Sequence, residues 1–244
     1  MTITEILDQI QQHTNTQNNT TSSFTTVQKT LAINNTLNIF MLKAIAAEGK
    51  WQVDDSNQSD YPIITTALVS GQQDYSFLTD QTGNQILDVY KVRIKDSAGN
   101  WTTLRQVDLQ TGDDNDLNST VQSIPSKYRV TANGIFLIDI PNYSLANALE
   151  IYINRTPVYF TSGDVSTGTK KPGIPWTLHE YLAIRPSYFY CLDKGLPQTA
   201  ALANELIKFE GDEDRGITGL IEGYYSKRNK DERTQILPRY RSSR

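Results

Sequence analysis

Residues 24–49 read FTTVQKTLAINNTLNIFMLKAIAAEG, the clearest helical pattern in the chain. Apolar side chains recur in it at spacings of three and four residues, namely Ile33, Leu37, Phe40, Ala44 and Ala47. Further apolar residues widen this stripe, namely Val27, Leu31, Met41 and Ile45. The spacing is that of one helix face, and Gly49 is a typical residue just beyond a helix C-terminus. The stretch therefore predicts a long helix that buries one face.

A shorter helix is predicted before this one. Thr2 and Glu5 have the spacing of a capping box, and apolar residues follow at helical spacing from Ile3 to Ile10. Residues 13–23 (HTNTQNNTTSS) contain no apolar side chain, so we expect a flexible linker there. The first residues lack the pattern of a signal peptide, and no run of about 18 apolar residues occurs, so we expect neither secretion nor contact with a membrane.

The hydrophobic period changes towards two between residues 51 and 160, which indicates β-strands. The clearest strand patterns occupy residues 89–95, 101–107, 127–131, 135–140 and 149–155. The sequence DSAGN separates the first two and Asn133 with Gly134 separates the next two, so both pairs are typical of β-hairpins. With weaker candidates near Ile63 and Tyr75, the pattern predicts an antiparallel sheet folded into a small sandwich or a barrel-like domain.

Helical patterns return after residues 161–175, a stretch whose composition is typical of a linker. Residues 177–180 have the pattern of a second capping box, and a broad apolar face follows up to Gly195. Pro186 lies inside this pattern and is expected to kink the helix. The chain is therefore predicted to have α+β architecture, with a β-domain between two helical parts.

The last predicted helix begins near Pro197 and is rich in glycine. Each glycine costs a helix about 0.8–1 kcal/mol relative to alanine. Gly216, Gly219 and Gly223 have the spacing of one helix face, where missing side chains would allow close packing against another backbone. A break between about Gly211 and Gly216 is the alternative interpretation.

The charge of the chain is concentrated at its C-terminal end. Residues 227–244 contain seven Lys or Arg against Asp231 and Glu232, a net +5, whereas the whole chain carries −4 and the remainder therefore −9. A solvated end is one interpretation. Nucleic-acid binding is a second, although the segment has no aromatic stacking platform beyond Tyr240. We favour a third interpretation, a peptide that folds on a partner protein, because apolar residues interrupt the charges. The candidate docking residues are Lys227, Arg228, Lys230, Arg233, Ile236, Leu237, Arg239, Tyr240, Arg241 and Arg244.

Residues suited to catalysis are scarce. The chain has two histidines, His13 and His179, and one cysteine, Cys191, whose aromatic surroundings favour a buried structural thiol. Their spacing provides neither a zinc site nor a Ser-His-Asp triad. Residues 113–116 are acidic but lack the ligand spacing of a calcium loop, and the phosphate-binding and nucleophile-elbow motifs do not occur. We expect a protein that is not an enzyme and that needs no metal and no cofactor.

Several short strings resemble head-to-tail adaptor (connector) proteins of tailed bacteriophages. The strings are AIAAEGKWQVDDSNQSDYPIITTALVSGQQDYSF, RTPVYFTSGD, KKPGIP, HEYLAI, KGLP and YYSKRNKDER, in that order. The resemblance spans about residues 24–233 and follows the order of the predicted elements. The glycine-rich last helix departs from the more regular helix of the family.

This resemblance implies a structural virion protein at the head-to-tail junction, made in the host bacterial cytoplasm. It implies a helical bundle with an inserted β-domain, formed by residues 1–49 and 161–229 around residues 50–160, and an extended docking tail at residues 230–244. The implied partners are the portal protein, the next tail (nozzle or tube) protein and copies of the chain itself in a ring of twelve. DNA would pass through the channel of this ring without specific binding.

A second function from another class is a carbohydrate-binding or cell-wall-binding β-module of a phage tail. Trp51, Trp101 and Tyr143 could stack on sugar rings in such a module. Aromatic residues in strands belong to the core more often than to a sugar site. The adaptor interpretation expects no glycan binding, and this difference separates the two.

Overall fold

The computed structural model describes residues 1–18, 20–48, 63–80, 83–107, 121–212 and 214–228. The helices are α1 (Ile3–Thr14), α2 (Thr26–Glu48), α3 (Ser162–Thr167), α4 (Tyr181–Lys194), α5 (Thr199–Glu210) and α6 (Leu220–Arg228). The strands are β1 (Ile63–Leu68), β2 (Asp74–Ser76), β3 (Ile86–Lys95), β4 (Trp101–Thr103), β5 (Arg105–Gln106), β6 (Gln122–Ser123), β7 (Lys127–Thr131), β8 (Gly134–Ile138), β9 (Ile140–Pro141), β10 (Leu145–Arg155), β11 (Gly211–Asp212) and β12 (Ile217–Thr218). The fold is mixed α+β, and none of the sheets formed by these residues closes into a barrel.

The chain forms two compact units. One contains Met1–Lys50 together with Tyr159–Arg244 and is helical in its described parts, whereas the other contains Trp51–Val158 and is built of strands. We call them the helical unit and the β-unit. None of the described helices is both long and apolar enough to cross a membrane.

The first two helices of the helical unit form largely as their sequences predict. The capping box of α1 is confirmed, because the Thr2 hydroxyl accepts from the Glu5 N–H at 3.3 Å and the Glu5 carboxylate accepts from the Thr2 N–H at 2.8 Å. The predicted stripe of α2 is buried from Ile33 to Ala44. Val27 and Leu31 are exposed, so the buried stripe is narrower at its N-terminal end than the sequence predicts.

Aromatic rings join four of the helices into one core. Phe40 of α2 lies 6.2 Å from Tyr181 of α4 and 6.0 Å from Tyr225 of α6, measured between ring centroids. Tyr181 in turn lies 5.8 Å from Phe209 of α5. All four rings are buried, so helices from both ends of the sequence share a single apolar interior.

Two stretches predicted to be linkers have specific local structure instead. In residues 13–23 the buried Thr14 hydroxyl donates to the Ile10 carbonyl at 2.6 Å, and the buried Lys29 amine donates to the Asn18 side-chain oxygen at 2.7 Å. In residues 161–175 the helix α3 forms behind a capping box. The linker interpretation is wrong for these residues because their polar groups bond to one another and to the helices.

The start of α4 also differs from its prediction. Trp176–Leu178 form a 3₁₀ turn, α4 begins only at Tyr181, and no side chain caps it. The capping box predicted at residues 177–180 is therefore wrong, because this turn already places His179 and Glu180 in helical conformations.

Two four-stranded sheets make up most of the β-unit. Their strand orders are β1-β10-β3-β4 and β2-β8-β7-β5, and buried side chains from both sheets form one hydrophobic core. Both predicted hairpins are confirmed, as β3 pairs antiparallel with β4 and β7 with β8. Gly134 begins β8, and an added Cβ there would meet the Tyr75 backbone of β2, so its role is close strand approach.

One predicted strand is divided between the two sheets. Residues 101–107 form β4 in the first sheet and β5 in the second, and the buried Leu104 lies between them with its N–H bonded to the Val92 carbonyl at 2.9 Å. Because the chain changes sheets here, β5 pairs parallel with β7. The strands are therefore not all antiparallel, which corrects the sequence prediction.

Candidate docking site

The predicted docking residues begin at the end of α6. Lys227 and Arg228 are the last two residues of this helix. The other eight lie outside the described residues, namely Lys230, Arg233, Ile236, Leu237, Arg239, Tyr240, Arg241 and Arg244. The structure therefore shows the element from which the basic segment starts.

Burial of one face holds α6 in the helical unit. Ile221 and Tyr225 are fully buried in the core that α6 shares with α2 and α5. Leu220 and Tyr224, on another side of the helix, are exposed. The base of the basic segment is consequently anchored by the core, and apolar side chains face solvent beside it.

The glycines assigned to a helix face are not on one helix. Gly216 has φ +65° and lies before β12, in the turn that joins this strand to β11. A Cβ on Gly219 would lie 2.5 Å from the Gly211 nitrogen, so Gly219 does allow close backbone approach, but to the end of α5. Gly223 faces open space. The continuous helix is wrong and the break near Gly211 is correct, because Gly211 has φ +82° and ends α5.

Glu210 is a shared acceptor beside this break. Its Oε1 accepts from the Tyr181 hydroxyl at 2.6 Å and from the Arg185 Nε at 2.9 Å, and the Lys43 amine lies 4.0 Å from its Oε2. Burial raises the pKa of Tyr181 well above its ordinary value, and the Glu210 carboxylate raises it further. The phenol therefore stays protonated and acts as a hydrogen-bond donor.

A cavity of about 420 Å³ opens next to Glu210. Asp212 and Glu222 contribute further carboxylates to its wall, and Lys43 contributes a cation. Among the described residues, no group of three or more His, Cys, Asp and Glu side chains is arranged to hold a metal ion. The cavity is thus a recess with three carboxylates and one amine in its wall, and it lies beside the first turn of α6.

Exposed apolar side chains are frequent on the helical unit. They include Val27, Leu31, Leu42, Trp176, Phe189, Leu192, Ile217, Leu220 and Tyr224. Trp176 is 80% exposed and Val27 71%, values that are unusual for large apolar residues. Exposed apolar residues that form a contiguous patch are typical of protein-binding sites, whereas singly scattered ones are normal on any protein surface.

The two side chains with the greatest catalytic potential are buried in the helical unit. His179 Nε2 bonds to the Ile174 carbonyl at 2.8 Å, and its Nδ1 accepts from the Met1 amine at 2.7 Å. Burial raises the pKa of the Cys191 thiol, which keeps it in the unreactive protonated form. Cys191 is buried as predicted.

Of the aromatic residues considered for sugar binding, the two that the structure describes already have partners within the β-unit. Tyr143 packs against the core of the β-unit and donates to the Lys95 carbonyl at 2.7 Å. Trp101 lies in β4 with cationic side chains over its ring. Trp51 lies outside the described residues.

Glu210 and its partners were not found from the sequence. Tyr181, Arg185 and Lys43 lie on two other helices, so no local spacing relates them to Glu210. No protein-family model matches this chain, and no curated protein has a significantly similar sequence. The fold and the surface of the two units are therefore the grounds for proposing a function.

Proposed function

We propose that the chain is a structural virion protein, a head-to-tail adaptor that binds beneath a phage portal as a ring. In this function it extends the DNA channel and provides the attachment surface for the next tail protein. The proposal includes the finer architecture of a helical bundle with an inserted β-sandwich. It places the protein at the head-to-tail junction of the virion, after synthesis in the host cytoplasm.

The division of the chain into two units is the observation that carries this proposal. Both ends of the sequence contribute helices to one core, and the chain between them forms a separate unit of strands. The resemblance to phage adaptors implies this same order of elements. A protein with such a division can hold one surface against a ring partner and present another surface to the next component.

The surface of the helical unit supports contacts with other proteins. Its exposed apolar side chains lie on α2, on α4 and its preceding turn, and at the end of the unit near α6. Partner proteins could therefore cover several faces of the helical unit at once. A ring needs this, because each copy contacts a neighbour on both sides and the portal above. Ring geometry also strengthens weak contacts, because many linked copies bind together.

The basic segment supplies the portal contact in this proposal. It continues from α6, whose Ile221 and Tyr225 anchor it, and it combines cations with Ile236, Leu237 and Tyr240. Such a segment would order itself on an acidic, grooved partner surface, with its apolar residues seated in the grooves. DNA would slide past the acidic remainder of the chain, since like charges repel.

Removal of residues 231–244 tests the proposal. We expect the truncated chain to keep its circular dichroism spectrum and thermal unfolding, and to lose attachment to purified portal in electron microscopy and co-sedimentation. A full-length variant with Ile236, Leu237 and Tyr240 changed to Ser should behave similarly. The matched control is a variant in which three exposed apolar residues of the β-unit, Leu78, Leu87 and Val121, are changed to Ser. This variant should still attach to the portal. Truncated chains that form rings on portals would show that the docking role is wrong.

A further inference from the structure

The outer face of the first sheet of the β-unit carries a row of cations. Val92 and Ile94 of β3 are buried in the core, so the residues that alternate with them face the other side of the sheet. These residues are Lys91, Arg93 and Lys95. Successive members are separated by about 6.7 Å along the strand.

Aromatic rings lie beside each of these cations. Lys95 is paired with Trp101 across the β3–β4 ladder, and Lys91 with Tyr152 across the β3–β10 ladder. The Lys91 amine lies 4.8 Å from the Tyr152 ring centroid, and the Arg93 guanidinium lies 5.1 Å from that of Trp101. The face therefore alternates cations with rings on three neighbouring strands.

The charge on this face is only partly neutralised. Arg93 is 3.6 Å from the Glu150 carboxylate and donates to the Tyr152 hydroxyl at 3.1 Å. Lys91 and Lys95 make no ion pair within the described part of the chain. Of the three cations, Arg93 is thus the one with an ion pair among the described residues, and Lys91 and Lys95 lie over aromatic rings.

We propose that this face binds single-stranded nucleic acid without sequence preference. Phosphates would pair with Lys91, Arg93 and Lys95, and bases would stack on Trp101 and Tyr152. Cationic grooves with interleaved aromatic rings bind single strands in this manner, because every base has a π-face and every nucleotide a phosphate. This activity is separate from docking at the portal and does not depend on it.

The combination of rings and cations favours this ligand over an acidic protein segment. A carboxylate-rich peptide would satisfy the lysines but would offer no group that stacks on the rings. A double helix would offer phosphates, but its bases are already stacked on one another. The sequence alone did not bring both rings to this basic cluster, because Tyr152 reaches the β3 cations only through the long-range pairing of β3 with β10.

Fluorescence anisotropy with a labelled oligothymidylate tests the proposal on the full chain. Because the basic C-terminal segment could bind the probe by itself, wild-type and variants are compared in a full-length background with Arg239, Arg241 and Arg244 changed to Gln. We expect Trp101→Ala to weaken binding about tenfold, which is within the range for loss of one base–aromatic stack. Trp101→Phe should retain most of the affinity, since its ring can still stack.

The salt dependence of binding isolates the phosphate contacts. Changing Lys91 and Lys95 to Gln should reduce the slope of log affinity against log salt by about 1.4, or about 0.7 for each lost contact. Changing Lys194 and Lys208 to Gln removes two exposed charges from the helical unit and should leave the slope unchanged. None of the four lysines belongs to a hydrophobic core, so we expect both double variants to fold, and matching circular dichroism spectra check this.

Three results would overturn the proposal. They are unchanged affinity and slope in the Lys91/Lys95 variant, equal binding of a duplex of the same length, and displacement of the probe by polyglutamate as effectively as by unlabelled oligothymidylate. The last result would identify an acidic protein segment as the better ligand. Attachment to the portal is measured separately, so failure here and failure of the adaptor function are distinguishable.

Discussion

At the residue scale, Glu210 joins three helices through one carboxylate. Changing Glu210 to Gln keeps the shape of the side chain but removes the charge that Tyr181 and Arg185 share as their acceptor. Hydrogen bonds to charged groups contribute about 1.5–3 kcal/mol each, and the neutral Gln oxygen can still accept both bonds, but without the charge. We expect the free energy of unfolding to fall by about 1–2 kcal/mol in urea titrations.

Glu205→Gln is the matched control for this substitution. Glu205 pairs with Lys208 on the exposed side of α5, with 2.6 Å between the amine and the carboxylate. Exposed pairs of this kind contribute about 0.2–1 kcal/mol. Equal losses in the two variants would show that the Glu210 network does not stabilise the core.

His179 predicts how stability changes with pH. Burial lowers the pKa of His179 below its ordinary value, and the nearby cationic Met1 amine and Lys171 lower it further, while the hydrogen bond to the Ile174 carbonyl acts in the opposite direction. In the unfolded chain, His179 therefore becomes protonated as the pH falls through about 6.5. In the folded chain, His179 is still neutral at that pH. Stability should be lost as the pH falls from about 6.5 towards the lowered pKa.

Urea titrations at several pH values measure this effect. The urea concentration at the unfolding midpoint of the wild-type chain should decrease as the pH is lowered from 7.5 to 5.5. His179→Asn should remove much of that decrease. His13→Asn changes the other histidine and should retain the wild-type behaviour. A wild-type midpoint that stays constant over this range would contradict the assignment to His179.

At the scale of elements, the break after α5 makes opposite predictions for two glycines. A Cβ on Gly219 would lie 2.5 Å from backbone atoms at Glu210 and Gly211, so Gly219→Ala requires the backbone to move. Gly223 lies inside α6 and meets nothing within 4 Å, so Gly223→Ala improves helix propensity without a clash. We expect destabilisation by more than about 1 kcal/mol in the first variant and stabilisation by up to about 1 kcal/mol in the second.

Thermal and urea unfolding of the two variants measure this difference. Both substitutions add the same single methyl group, so each serves as the control for the other. Similar destabilisation by both substitutions would indicate that Gly219 and Gly223 lie on one face of a continuous helix and that this face packs against another backbone. That result would contradict the observed break.

At the scale of the whole molecule, the β-unit should fold alone. Its core contains buried residues from both four-stranded sheets, and every residue of that core comes from Trp51–Val158. A fragment with these bounds should unfold cooperatively and give a dispersed amide spectrum by nuclear magnetic resonance. A collapsed spectrum without cooperative unfolding would show that the β-unit depends on the rest of the chain.

Local sequence patterns determined several elements of this protein. The capping box of α1, the helix α2 and the β3–β4 and β7–β8 hairpins were predicted because their signals lie within a few residues of one another. Helical and strand periods, caps and turn residues act through neighbours in the chain. The α+β class follows from them without knowledge of any long-range contact.

Only the tertiary structure decided where long-range contacts override these patterns. Gly219 and Gly223 look alike in sequence, yet one meets a backbone and the other open space. The acceptor role of Glu210 and the pairing of Lys91 with Tyr152 likewise depend on residues far apart in the chain. The physical reason is that packing, close backbone approach and shared hydrogen bonds are set by which elements meet in space, and this information is not contained in local spacing.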